Sequence, residues 1–229
     1  MISPSFDNQG FLVIDGTQGI APDVILRAAQ RNAAVVFSAH PNCASDAEQL
    51  LKQSQAAGLA DRVSLVVTDL ADEQAVETLC DTALERLPGL NALIHNLEPQ
   101  AVMEPRSLVE ISLAEWNSVL SSELRLPFML ARRAVEEFLF ARANGRIVYI
   151  GYAASGEARI PASYATARSG LNALIRCITK EFGRREVACN AVVAHCNDKS
   201  ANTNELIETI LFLASPESAF VNGEFLEIG

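Results

Sequence analysis

The chain reads as one α/β domain: a doubly wound, Rossmann-type parallel sheet of seven strands with helices on both faces. Two observations predict this. Short apolar runs rich in Val and Ile alternate with longer amphipathic stretches from end to end, and no linker, low-complexity tract or repeat interrupts them across residues 1–229. Parallel strands buried on both faces read as continuous apolar runs, and each parallel pair needs a crossover, usually a helix, to join it. Right-handed crossovers then build the doubly wound layers.

Strands are expected at 11–14 (FLVI), 34–38 (AVVFS), 63–67 (VSLVV), 92–95 (ALIH), 146–150 (RIVYI), 187–193 (VACNAVV) and 224–228 (EFLEI). Between them, helical patterns run over 23–31, 44–57, 73–87, a long stretch around 113–139, 164–182 and 204–214. Pro22 suits the first of these, because proline is tolerated in a first helical turn.

Composition narrows the function classes. The 49% apolar content is ordinary for a globular protein, and 20% charged residues are too few for a disordered one. No apolar run approaches the roughly 18 residues a membrane span needs. Residues 1–10 hold no Lys, Arg or apolar core, so no secretory signal is expected. Five cysteines, Cys43, Cys80, Cys177, Cys189 and Cys196, are an odd number without metal-ligand spacing. They fit reduced thiols in a cytoplasmic protein, with no metal. A net charge of -10 argues against nucleic acid or an anionic membrane as partner.

Asp15-Gly16-Thr17-Gln18-Gly19, Asp69, the run 145–152 and Tyr164 with Arg168, in that order, resemble landmarks of the short-chain dehydrogenase/reductase family over nearly the whole chain. Val13-Ile14-Asp15-Gly16-Thr17-Gln18-Gly19-Ile20-Ala21 resembles the family's T-G-x-x-x-G-x-G loop. Asp69 matches the acidic residue that holds the adenine after the third strand. His95-Asn96-Leu97-Glu98 stands where N-N-A-G is expected. Glu115-Trp116 and Glu123-Leu124 resemble the helix carrying the active-site Asn. The run 145–152 resembles G-R-I-V-x-I-S-S, Tyr164-Ala165-Thr166-Ala167-Arg168 resembles Y-x-x-x-K, and Phe212–Ser215 with Asn222-Gly223 resembles F-L-A-S…T-G.

The resemblance implies a nucleotide site and a catalytic set, and the chain departs from both. In the loop, Asp15 replaces the first glycine and Ala21 the last, while Gly19 is kept. A carboxylate there opposes a diphosphate that would otherwise sit on a helix N-terminus, and Ala21 adds a Cβ where close approach is wanted. Ser38-Ala39-His40 offers neither a carboxylate for a ribose diol nor an Arg for a 2′-phosphate. Leu97 and Glu98 replace Ala and Gly, which is expected to fill adenosine space and add charge. Asp69 is retained, although an acidic residue before a helix is also an N-terminal cap. No nucleotide is therefore expected on this chain.

The family's Tyr is present as Tyr164, but the Lys is Arg168, which cannot relay protons as Lys does. The Ser position is Tyr152 by the strand motif and Gly151 by counting 13 residues back from Tyr164, and the Asn position is Glu123. Glu123 and Arg168 are expected to form a direct or water-bridged ion pair that cancels the charge lowering the Tyr164 pKa. Ala194-His195 replaces the P-G that opens a substrate-covering segment in the family, leaving little chain for a lid. The neighbours His195 and Cys196 lack an orienting carboxylate in sequence and are expected to be structural.

The resemblance implies a non-catalytic subunit of a hetero-oligomer, expected to be a tetramer, with NAD on a homologous active dehydrogenase subunit. The apolar residues of the long helices and the last helix, Leu124, Leu126, Phe128, Met129, Ala134, Phe138, Leu171, Leu174, Ile175, Ile207, Ile210 and Leu211, are expected to form its association surfaces. The pattern of loss resembles the inactive subunits of heterotetrameric 2-[hydroxy(phenyl)methyl]succinyl-CoA dehydrogenases of anaerobic toluene degradation, implying a hydroxyacyl-CoA-type substrate acted on by the partner. The alternative is a cofactor-independent enzyme similar to halohydrin dehalogenases, which use Ser, Tyr and Arg, here with Tyr164 and Arg168.

Overall fold

The computed structural model describes residues 4–97, 107–153, 160–195 and 203–228. Its strands are β1 (Gly10–Ile14), β2 (Ala34–Ala39), β3 (Val63–Val67), β4 (Leu90–Asn96), β5 (Arg146–Ala153), β6 (Ala188–His195) and β7 (Phe225–Ile228). Its α-helices are α1 (Ala21–Gln30), α2 (Ala44–Ala56), α3 (Glu73–Arg86), α4 (Leu113–Leu120), α5 (Leu126–Ala141), α6 (Ala162–Phe182) and α7 (Thr203–Leu213). All seven strands pair in parallel in the order β3-β2-β1-β4-β5-β6-β7. The order reverses between β1 and β4, and the crevice at the carboxyl ends there is where this topology places ligands.

Strand residues alternate between two cores. Val13, Ile94, Val148 and Ile150 face α1 and α7, whereas Leu12, Leu93, Ile147 and Tyr149 face α3, α5 and α6. Helix positions follow their sequences. Pro22 lies in the first turn of α1, and Asp72 caps α3 by accepting from the Ala75 N–H at 2.9 Å. Asp69 therefore is not that cap. No helix among the described residues is long and apolar enough to cross a membrane.

Two expectations need correction. The long helix around 113–139 is two helices joined by a π-helical turn at Ser121–Arg125. The apolar pattern continues through this turn, so periodicity alone did not expose the break. Most residues expected to form association surfaces are core instead: Met129, Ala134, Phe138, Leu171, Ile175, Ile207, Ile210 and Leu211 are buried. They fill the layer between helix and sheet, which needs an apolar stripe of its own. Phe128 is exposed (46%), while Leu124, Leu126 and Leu174 are partly buried against the core.

Candidate active site

The turn after β1 starts at the centre of the sheet. Asp15 adopts φ 54°, the left-handed conformation glycine takes most readily, and so keeps the backbone of the residue it replaces. Its N–H donates to Ser38 Oγ at 3.2 Å. Burial pushes its carboxyl up to about 6, against the opposing pull of His40. Gly16 lets α1 and the sheet approach closely: a Cβ there would lie 2.7 Å from Ile25 Cδ1 and 2.9 Å from Phe37 Cβ. Ala21 is fully buried in the core, so its methyl faces helix packing and not the ligand crevice. That corrects the expectation of steric blockage by Ala21. Gly19 keeps φ 56° and is exposed.

Asn96, at the end of β4, holds this turn in shape. Its Nδ2 donates to the Asp15 and Gln18 carbonyls at 3.3 and 3.1 Å, and its Oδ1 accepts from the Tyr152 hydroxyl at 3.1 Å. The same Tyr152 oxygen accepts from the Ile20 N–H at 3.5 Å. Ile20 is the N-cap of α1, so a phenol from β5 occupies a donor that a helix N-terminus otherwise offers to an anion. The resemblance marks Tyr152 only as the family's Ser position. Its alternation along β5 was the available signal, since Tyr152 packs with the α1 side while Tyr149 packs with the α6 side.

Two cavities flank this framework. One, of about 260 Å³, is lined by Asp15, His40, Thr68, Asp69, Ser122 and Arg125 among others. His40 Nε2 lies 3.8 Å from the exposed carboxylate of Asp69. The other, of about 300 Å³, is lined by Leu97, Glu123, Gly151, Arg168 and Phe225 among others. Leu97 thus fills space on this second cavity and not beside Asp69, a correction that follows from its burial in the α5/α6 core. Gly151 also faces the second cavity, so here the count from Tyr164 locates the wall residue and the strand motif does not. Glu98 and Cys196 lie outside the described residues, as does the side chain of His195.

The π-helical turn carries Glu123 inward, leaving it 5% exposed. Such turns add a residue to the helical register and re-aim the side chains within them. On the facing helix, Gly170 allows close approach, since a Cβ there would lie 2.8 Å from Leu124 Cδ2. Glu123 and Arg168 line the same cavity, and the Arg168 charge acts on the Glu123 carboxyl. Among the described residues no contact within 4.0 Å joins them, so the direct form of the expected ion pair is absent. Arg168 Nη2 is buried without a hydrogen-bond partner. Burial, and to a lesser degree Asp15, drive Glu123 up to about 7 despite Arg168. Burial also raises the Tyr164 hydroxyl, with Glu123 and Glu115 acting in the same direction and Arg168 opposing them.

Cys43, Cys80, Cys177 and Cys189 are free, and burial pushes Cys80 up to about 12.

The family model for enoyl-(acyl carrier protein) reductase matches residues 15–204. Hydroxynaphthalene reductase arp2 of Aspergillus fumigatus is 25% identical, over 93% of this chain and 88% of its own length. The (2S)-[(R)-hydroxy(phenyl)methyl]succinyl-CoA dehydrogenase subunit BbsD of Thauera aromatica is 24% identical, over 96% of this chain and 95% of its own. The structure of the citronellol catabolism dehydrogenase AtuB of Pseudomonas aeruginosa matches with a TM-score of 0.81 at 26% identity, covering 99% of this chain and 96% of that one. These relatives are reductases and dehydrogenases, which does not favour a halohydrin dehalogenase. With this strand order and a match over most of its length, the chain belongs to the short-chain dehydrogenase/reductase family.

Proposed function

We propose that this chain is a non-catalytic subunit of a hetero-oligomeric short-chain dehydrogenase, partnered with a homologous subunit that holds NAD and does the chemistry. The observation that carries this reading is the setting of the Tyr164 hydroxyl. A general acid/base working near neutral pH needs a pKa brought toward that pH. Here burial and Glu123 move the phenol the other way, and Arg168 only partly offsets them.

The nucleotide side supports the same reading. Residues present at the turn do not fit a diphosphate: the Asp15 carboxyl stands in it, and Tyr152 engages the Ile20 N–H. Similarity to a subunit of a hydroxy(phenyl)methylsuccinyl-CoA dehydrogenase supports a hydroxyacyl-CoA-type substrate for the assembly, in aromatic hydrocarbon catabolism.

Affinity purification of the tagged chain from its native host tests the proposal. The expected outcome is a stoichiometric complex with a homologue carrying intact Ser, Tyr, Lys and glycine-rich loop, with NAD-dependent turnover by the complex and none by the chain alone. Turnover by the isolated chain would overturn it.

A further inference from the structure

We propose that the cavity between Glu123 and Arg168 binds a small monocarboxylate with an apolar body, taken up together with a proton on Glu123. The site does not depend on the subunit reading, because an active chain and an inactive one would present it alike.

Three features of the cavity carry the inference. First, its walls are mostly apolar, with Leu97, Ile160, Leu171, Val193 and Phe225 around a space of about 300 Å³. That suits a ligand of several carbons and disfavours a bare inorganic anion. Second, Arg168 brings a guanidinium to this cavity, and its Nη2 is buried with no hydrogen-bond partner. A charged group buried with a donor unmade carries a desolvation penalty, so an acceptor brought to the Arg168 guanidinium from the cavity recovers a large interaction. A carboxylate is the acceptor whose two oxygens match the planar guanidinium fork. Third, Glu123 lies 5% exposed on the same cavity without contacting Arg168 directly.

A ligand carboxylate and an ionised Glu123 beside one guanidinium would be two anions on one cation. One of them must be protonated. Glu123, already pushed up to about 7, takes the proton more readily than a ligand acid of ordinary pKa near about 4–5. The other groups facing Glu123 do not reverse this. Tyr164 on α6 is neutral near pH 7, and Asp15 beyond β1 raises Glu123 further. Tyr149 on β5 donates its hydroxyl to the Pro127 carbonyl at 3.0 Å. Glu115 on α4 acts on Tyr164, Arg125 of the π turn lines the other cavity, and Glu227 on β7, an exposed residue that also lines this cavity, adds negative charge that favours the protonated form of Glu123.

Calorimetric titration of the full chain with butyrate, hexanoate and octanoate between pH 5.5 and 9 tests this, with hexanamide as neutral control. Hexanoate is expected to bind with near-constant affinity from pH 5.5 to 6.5 and to weaken toward about tenfold per pH unit above pH 7.5, as linkage to one proton requires. Hexanamide should bind at least about tenfold more weakly at pH 6, as the loss of a charge-assisted hydrogen bond implies. Glu123→Gln should flatten the pH profile and raise affinity at pH 8.5, and Arg168→Gln should remove binding throughout. Any of four results would overturn the proposal: no saturation by any of the acids at pH 6, equal binding of hexanamide, affinity still climbing below pH 6, or undiminished binding by Arg168→Gln. The hexanamide and pH comparisons use the wild-type chain, so a variant that fails to fold leaves the test intact.

Discussion

Burying a carboxyl that titrates near 7 makes the stability of the whole chain depend on pH. Glu123 titrates at about 7 when folded, against 4.5 ordinarily, so the folded state binds the extra proton between those values. Its contribution is most favourable below about pH 4.5 and is lost as pH rises through about 7, a penalty of roughly 3 kcal/mol at pH 8. Asp15, raised from 3.8 to about 6, pulls the same way. Glu123→Gln is therefore expected to raise the melting temperature at pH 8, at roughly 2–4 °C per kcal/mol for a chain this size, and to change little at pH 4.5. Thermal melts at the two pH values decide it, and an equal gain at both would assign the effect to packing. Tyr152 offers a second check at this scale. Tyr152→Phe removes the hydroxyl between Asn96 and Ile20, and should cost about 1 kcal/mol and speed hydrogen exchange at the Ile20 amide severalfold.

At the scale of elements, the turn after β1 places two opposite demands on adjacent residues. Asp15 holds a left-handed conformation that costs a non-glycine residue about 1 kcal/mol or more, and its carboxyl is largely buried. Gly16 has no room for a Cβ between Ile25 and Phe37. Asp15→Gly should therefore stabilise the chain above pH 6, whereas Gly16→Ala should destabilise it by about 1–3 kcal/mol through overpacking. Equilibrium urea unfolding at pH 8 reads both signs. Wild-type chain is expected to bind neither NAD nor NADP, and calorimetric saturation at sub-millimolar cofactor would contradict that. Strands and most helices were legible because burial on both sheet faces imposes continuous apolar runs, and all seven strands lie within a few residues of their expected places. The π turn was not, because Leu120, Leu124 and Leu126 continue an apolar pattern across it. Motif order singles out Asp15, which lines the first cavity, and Glu123 and Arg168, which line the second. It could not show that Leu97 serves the second cavity, that Ala21 serves the core, or that Tyr152 crosses to Ile20, since each depends on which face a side chain takes.

Over the whole molecule, the question is what an apolar face still open to solvent is for. Burial of most helix residues in the chain's own cores removes them as probes of association, and Leu174→Asp would disturb the fold that Leu174 packs against. Phe128 on α5 is different, being 46% exposed, and Phe140 in the last turn of the same helix is 88% exposed. Large exposed aromatics are normal when scattered singly, so their presence alone does not establish an interface. A homo-oligomer could cover them, because two-fold contacts bury the same patch on both copies. The proposed heteromer makes a sharper demand. Phe128→Asp should leave the chain's own stability within about 0.5 kcal/mol, as surface substitutions do, yet abolish the partner's soluble activity by preventing assembly. Tyr164→Phe should leave that activity nearly unchanged, since the phenol does no proton transfer in this reading. Assays of the reconstituted complex, with sedimentation to follow assembly, separate the cases. Loss of turnover in an intact complex on Tyr164→Phe would make this chain an enzyme and reject the subunit proposal.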